Sequence, residues 1–167
     1  MLPGDAFWAV RIIARFTDEM IEALVAAGEF TDPGSARYLT ETLIKRRDKI
    51  LHHYLGQMLA LDNFRFQKGV TRAQIVFDDL RQQASLPAPL AYRYRWFSFR
   101  NEDAQRTPLE ASGQASPSGG VPVPGSQEEF LIVRMSDTTS GIPGYVEVFL
   151  RNAGVDSTIV GIDRQFE

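Results

Sequence analysis

An α+β fold, with helices first and an antiparallel sheet second, is what this sequence predicts, and three observations predict it. Apolar residues recur at spacings of three, four and seven between Leu39 and Leu59, the signature of one wide helical stripe. From Ala91 the pattern switches to alternation, the period of a strand. The later strand-like runs are joined by short turn-like links with no helical pattern between them, so they pair antiparallel as a meander. The expected layout is a helical segment over residues 1–63 and a β segment of about five strands over 64–167, forming one compact unit.

Asp5 is placed to cap a first helix, AFWAVRIIARF, whose residues Trp8, Ile12 and Phe16 share a face broadened by Phe7, Val10 and Ile13. Thr17 caps a second, with Asp18 and Glu19 at the positive end of its dipole. Met20, Ile21, Leu24 and Val25 form its apolar side, and Gly28 is a left-handed stop. Asp32 and Pro33 open the third helix, the longest. Its first orphan amides meet the Asp32 carboxylate, and proline at the first position loses no hydrogen bond. Running to about Ala60, this helix spans roughly 42 Å at 1.5 Å per residue. It is expected to lie against the apolar face of the sheet.

After Ala60 the character changes. Leu61-Asp62-Asn63 reads as a turn, Phe64-Arg65-Phe66 as extended chain, and Ala73 to Leu80 as a strand followed by a short turn. Pro87 and Pro89 forbid helix and lead into the clearest strand, Ala91 to Phe99. There Tyr92, Tyr94 and Trp96 point one way, and Arg93, Arg95, Phe97 and Phe99 the other. Residues 101–127 are rich in Ser, Gly and Pro and read as a mobile loop. Three more strands follow, Glu129 to Ser136, Tyr145 to Arg151 and Ser157 to Asp163. The links 137–144 and 152–156 carry turn residues of hairpin length.

Composition excludes several classes of function. The 167 residues carry 18 basic and 21 acidic side chains, a net charge of −3. Nonspecific attraction to nucleic acid or to an anionic membrane is therefore not expected. With no cysteine, thiol catalysis is excluded; with only two histidines as well, a structural zinc site is not expected, nor is any cofactor. No G-x-S-x-G turn and no strand-to-helix phosphate loop exists. No segment reaches the length of a membrane-spanning helix. Met1 to Asp5 lack the charged start of a signal peptide. The chain is thus read either as cytosolic or as part of a larger envelope or secreted protein whose leader lies elsewhere.

The run from Phe7 to Ile50, FWAVRIIARFTDEMIEALVAAGEFTDPGSARYLTETLIKRRDKI, resembles the C-terminal region of a group of large uncharacterised bacterial proteins. YRYRWFSFRN and the closing VGIDR are similar to the same group. The resemblance covers most of the chain and brings no activity, cofactor or catalytic residue with it. What it implies is a terminal module of a longer polypeptide.

Two functional readings follow. The favoured one is a non-catalytic interaction or structural domain that binds a protein or a glycan through the exposed face of its sheet. Its candidate residues are Tyr92, Tyr94 and Trp96, an aromatic row of the kind that stacks sugars, with Arg93 and Arg95 for a phosphate or carboxylate. Against this, an aromatic row is equally what a core needs, and Glu147 is a plausible cross-strand partner for the arginines. The alternative is an enzyme or an accessory domain of one. Asp48 and His52, four apart on one helix face, would be its proton-transfer pair, with Arg93 or Arg95 orienting an anionic substrate. A solvated charged face, including Arg46, Arg47, Lys49 and His53, explains that cluster more simply.

Overall fold

The computed structural model describes residues 2–69, 71–138 and 141–166. Among them are four α-helices and two antiparallel sheets of three and five strands, an α+β fold whose later strands form a meander. The chain divides into two compact units instead of one. The first comprises Met1–Gln57 and Leu80–Pro87, and the second Met58–Asp79 and Ala88–Glu167.

In the helical unit the capping signals act as local chemistry requires. The Asp32 carboxylate accepts from the amides of Gly34 and Ser35 at 3.1 and 2.8 Å and from the Ser35 hydroxyl at 2.6 Å. Thr17 Oγ1 accepts from Met20 N at 3.2 Å. These caps open α2 (Asp18–Ala26) and α3 (Pro33–Leu55), and α1 (Pro3–Ile13) precedes them. With 23 residues, α3 is about 34 Å long, shorter than expected because Gly56 caps it.

Three expectations change here. The cap of α1 is Leu2 with Pro3 behind it, so Asp5 lies inside the first turn. α1 buries Ala6, Phe7 and Val10, and leaves Trp8, Ile12 and Phe16 exposed. Two apolar stripes about 100° apart run along this helix, and periodicity alone cannot say which one is covered. At the end of α2, the left-handed residue is Glu29 (φ 48°), not Gly28. Gly28 is held by space: a Cβ there would meet the Phe30 ring at 2.9 Å and the Val25 carbonyl at 3.1 Å.

A short helix, α4 (Leu80–Gln83), completes this unit. The chain leaves it through Ser85 in the left-handed region (φ 55°), while Leu86 N donates to Arg81 O at 2.8 Å. That is the six-to-one bond of a Schellman ending. It escapes sequence reading because serine stands where glycine is usual.

The second unit is two sheets packed face to face. β1 (Leu61–Gln67), β2 (Gln74–Asp79) and β5 (Val121–Pro122) make the smaller, in the order β1-β2-β5. The larger runs β4-β3-β6-β7-β8, from β3 (Tyr92–Arg100), β4 (Gln105–Ala115), β6 (Phe130–Asp137), β7 (Tyr145–Arg151) and β8 (Thr158–Gln165). One core joins them. Leu61, Phe64, Ile75, Phe77 and Val121 come from the first sheet, and Tyr92, Trp96, Leu131, Val133, Met135, Val146, Val148 and Leu150 from the second. The layer filling the inner face of the five-stranded sheet is therefore another sheet, where the sequence reading gave that role to the long helix. Trp96 Nε1 ties the layers by donating to Pro122 O at 3.1 Å.

The turn expected at Leu61-Asp62-Asn63 is a bulge inside β1. Asn63 takes φ 50° there and donates to Asp78 at 2.9 Å, a conformation asparagine tolerates. Residues 101–127, expected to be a loop, contain β4 and β5. Leu109 and Ala111 pack against the core, and backbone pairing to β3 needs no apolar side chain on the outward positions. Pro108 is accommodated because β4 is an edge strand. Gly113 lies opposite Tyr94, whose hydroxyl would come within 2.9 Å of a Cβ. In the link 137–144, Thr139 and Ser140 lie outside the described residues, as does Met1.

Candidate functional site

β3 separates the predicted binding residues onto its two faces. Tyr92 and Trp96 point inward with 1% and 0% of their surface exposed, and Tyr94 packs beside them, partly buried. The Tyr92 hydroxyl donates to the buried Asp79 carboxylate at 2.5 Å. The proposed stacking platform is thus corrected: a ring enclosed on both sides has no face left for a ligand. These aromatics serve the core, the competing role that the alternation also allowed.

Arg93 and Arg95 point outward and are exposed. Arg95 stands opposite Ser112 of β4 and Arg134 of β6, while Arg93 stands opposite Gln114 and Ser136. Opposed residues share a face, so these six form one polar patch. Two shallow hollows flank the arginine ridge: one of about 260 Å³ toward Ser112 and Gln114, the other of about 210 Å³ toward Phe97, Arg134 and Ser136.

Glu147 does not pair with Arg93 or Arg95. It is fully buried on the same face, and Arg134 holds its Oε1 through Nε and Nη2 at 2.9 and 2.7 Å. Arg106 reaches its Oε2 at 3.2 Å. The Arg134 guanidinium also sits 4.1 Å from the centre of the Tyr145 ring and 5.3 Å from that of Phe97, a favourable cation–π arrangement. Arg134 is therefore spent on Glu147 and the rings. Among the described residues, the side chains of Arg93 and Arg95 have no hydrogen bond or ion pair.

Compared with known proteins, this chain matches no family model, no curated protein and no solved structure.

The helical unit holds a larger concavity of about 450 Å³, lined among others by Thr17, Asp18, Arg47, Asp48 and His52. It does bring Asp48 and His52 to one hollow. The expected pairing is not formed among the described residues: Asp48 Oδ1 accepts from Arg47 Nε and Nη2 at 3.0 and 2.7 Å, and His52 is exposed. Arg47, which the sequence placed on a solvated charged face, is the centre of this cluster and is nearly enclosed. Its side chain keeps only 14% exposure, reaches Asp18 at 2.6 Å and donates to Phe16 O at 2.8 Å. Burial opposes its charge, but the hydrogen bonds to Asp48 and Asp18 outweigh that and hold its pKa above the ordinary value. The signal available in the sequence was only that Arg47 lies between two acid-bearing segments.

Histidine 53 rests edge-on against Tyr54, ring centres 4.8 Å apart. Among the described residues no group of three or more His, Asp or Glu side chains is placed to hold a metal ion. No helix among them is long and apolar enough to cross a membrane.

Proposed function

We propose that this chain is a non-catalytic binding domain, the terminal module of a larger bacterial protein. It captures a protein or glycan partner through the outer face of its five-stranded sheet. The observation that carries this reading is the Arg93–Arg95 pair: two exposed guanidinium groups with no partner among the described residues, on a strand whose other face is locked into a core. Arginine is a planar, permanently charged donor suited to carboxylate and phosphate. Holding two of them unpaired on rigid β backbone suits recognition better than stability, since the fold gains nothing from them.

The test is retention of the fluorescently labelled chain on panels of immobilised peptides and oligosaccharides, run beside the R93A/R95A double variant. Binding by the wild type that the variant loses is the expected result. No retention on either panel, or retention that the variant keeps, overturns the reading.

The enzyme alternative draws on one observation, the concavity shared by Asp48 and His52. It requires Asp48 to leave Arg47 and turn to His52. Hydrolysis of p-nitrophenyl acetate that disappears in His52→Ala and persists in R93A/R95A would favour it over the binding domain.

A further inference from the structure

We infer that Arg93 and Arg95 bind an extended acidic peptide segment whose carboxylates lie two residues apart. This rests on the binding-domain reading and adds the chemistry of the partner. The first argument is spacing. Residues i and i+2 of a strand are separated by about 6.6–6.8 Å at 3.3–3.4 Å per residue, and alternate side chains of an extended peptide repeat at the same distance. A segment of the form Glu-X-Glu laid along β3 therefore brings one carboxylate to each guanidinium without distortion.

The second argument is local charge. Arg95 and Arg134 oppose each other directly, an arrangement that is unfavourable unless negative charge lies between or beside them. Glu147 supplies that for Arg134 from the β7 side. Among the described residues no carboxylate comes within 4 Å of Arg95 or Arg93. The flanking groups are also donors: the hydroxyls of Ser112 and Ser136 and the amide of Gln114 line the two hollows, so each carboxylate has a second hydrogen bond within the patch.

The third argument limits the ligand's length. The chain as a whole is acidic, −3. Along β3 the outward positions after Arg95 are Phe97 and Phe99. A long polyanion, whether nucleic acid or acidic polysaccharide, would run from the arginines onto these rings, which offer it no cation. A short segment ends before them. Because screening acts over about 8–10 Å at ordinary salt, the two-carboxylate segment feels mainly the arginines.

The experiment is fluorescence anisotropy with the whole chain and four labelled probes: Gly-Glu-Thr-Glu-Thr-Gly, its isomer Gly-Glu-Glu-Thr-Thr-Gly, the glutamine analogue of the first, and a polygalacturonate fragment. Adjacent glutamates in the isomer point to opposite sides of an extended chain, so only one can meet the ridge. The alternating peptide is expected to bind about tenfold more tightly than its isomer, and the glutamine analogue not at all. R93A and R95A should each lose about tenfold, the loss expected for a charge-assisted hydrogen bond. Raising salt from 50 to 500 mM should weaken binding severalfold.

Equal affinity for the two glutamate isomers, or an affinity unmoved by R93A and R95A, overturns the inference. Arginine-dependent binding of polygalacturonate without the peptide overturns the acidic-peptide partner and leaves the binding domain standing. Failure of every probe, together with empty peptide and glycan panels, removes both. Both arginines are exposed, so unchanged thermal melting of R93A and R95A verifies that the fold is intact.

Discussion

Arg47 in the helical unit and Arg95 on the sheet are the two arginines most worth comparing. Arg47 is nearly enclosed and engages Asp18, Asp48 and the Phe16 carbonyl. The Arg95 side chain is exposed and engages none of the described residues. Asp48 was read as a partner for His52, and Glu147 as one for Arg93 or Arg95. Arg47 took the first carboxylate, and Arg134 with Arg106 took the second. A charged cluster in a sequence therefore gives no measure of free binding capacity until the competition among its members has been resolved in three dimensions.

The comparison can be broken first at Glu147. Glu147→Ala would leave Arg134 and Arg106 without their buried carboxylate and return Arg134 to the free state of Arg95. Breaking a fully buried ion pair costs about 3–5 kcal/mol. Here the arginines keep about a third of their surface, so about 2–3 kcal/mol is expected, measured by urea unfolding. The same variant should strengthen binding of the alternating peptide by adding a third free guanidinium. A variant as stable as the wild type would mean that Glu147 is not the sink for Arg134.

Arg47→Ala comes next. It removes hydrogen bonds to two carboxylates and one carbonyl, but both carboxylates are half-exposed and water replaces much of the loss. We expect about 1–2 kcal/mol from chemical denaturation, against a change within about 0.5 kcal/mol for Arg95→Ala, a surface position without partners. Equal effects for the two would erase the distinction drawn here.

The smallest effect sharpens the same point with a carboxylate that is consumed locally. Hydrogen bonding by the Ser35 hydroxyl, and then by the amides of Ser35 and Gly34, holds the Asp32 pKa below its ordinary value. Its folded pKa is depressed, so the stability it contributes is present in full above the unfolded pKa near about 4. That contribution is lost as the pH falls through the folded value. Helicity followed by circular dichroism from pH 7 to pH 2 should drop in the wild type. It should drop less in D32N, because asparagine caps equally well without titrating. Identical profiles would assign the acid transition to other carboxylates.

Local chemistry was legible. The caps at Thr17 and Asp32, the two-sided alternation of β3 and the strand Tyr145–Arg151 follow from side chains acting on their own neighbourhood or from a period of two. Where two periodic faces competed, as in α1, the pattern narrowed the choice without making it. β4 escaped because its residues look like a loop; what makes it a strand is the hydrogen-bonding edge that β3 offers, which is a property of β3 and not of Gln105–Ala115. The candidate site divided the same way: Arg93 and Arg95 were visible as outward arginines, and their lack of a partner was not.

By itself, then, the order of residues determined the α+β class, the starts of α2 and α3 and the two-sided character of β3, because each depends on contacts a few residues apart or on a strict repeat. Only the tertiary structure decided that a second sheet fills the core, that Arg134 and Arg106 take Glu147, and that Arg47 reaches Asp18. Those outcomes depend on which of several chemically similar groups, 13 to 41 residues apart on the sheet, reaches a shared partner first in space, and no local pattern encodes that distance.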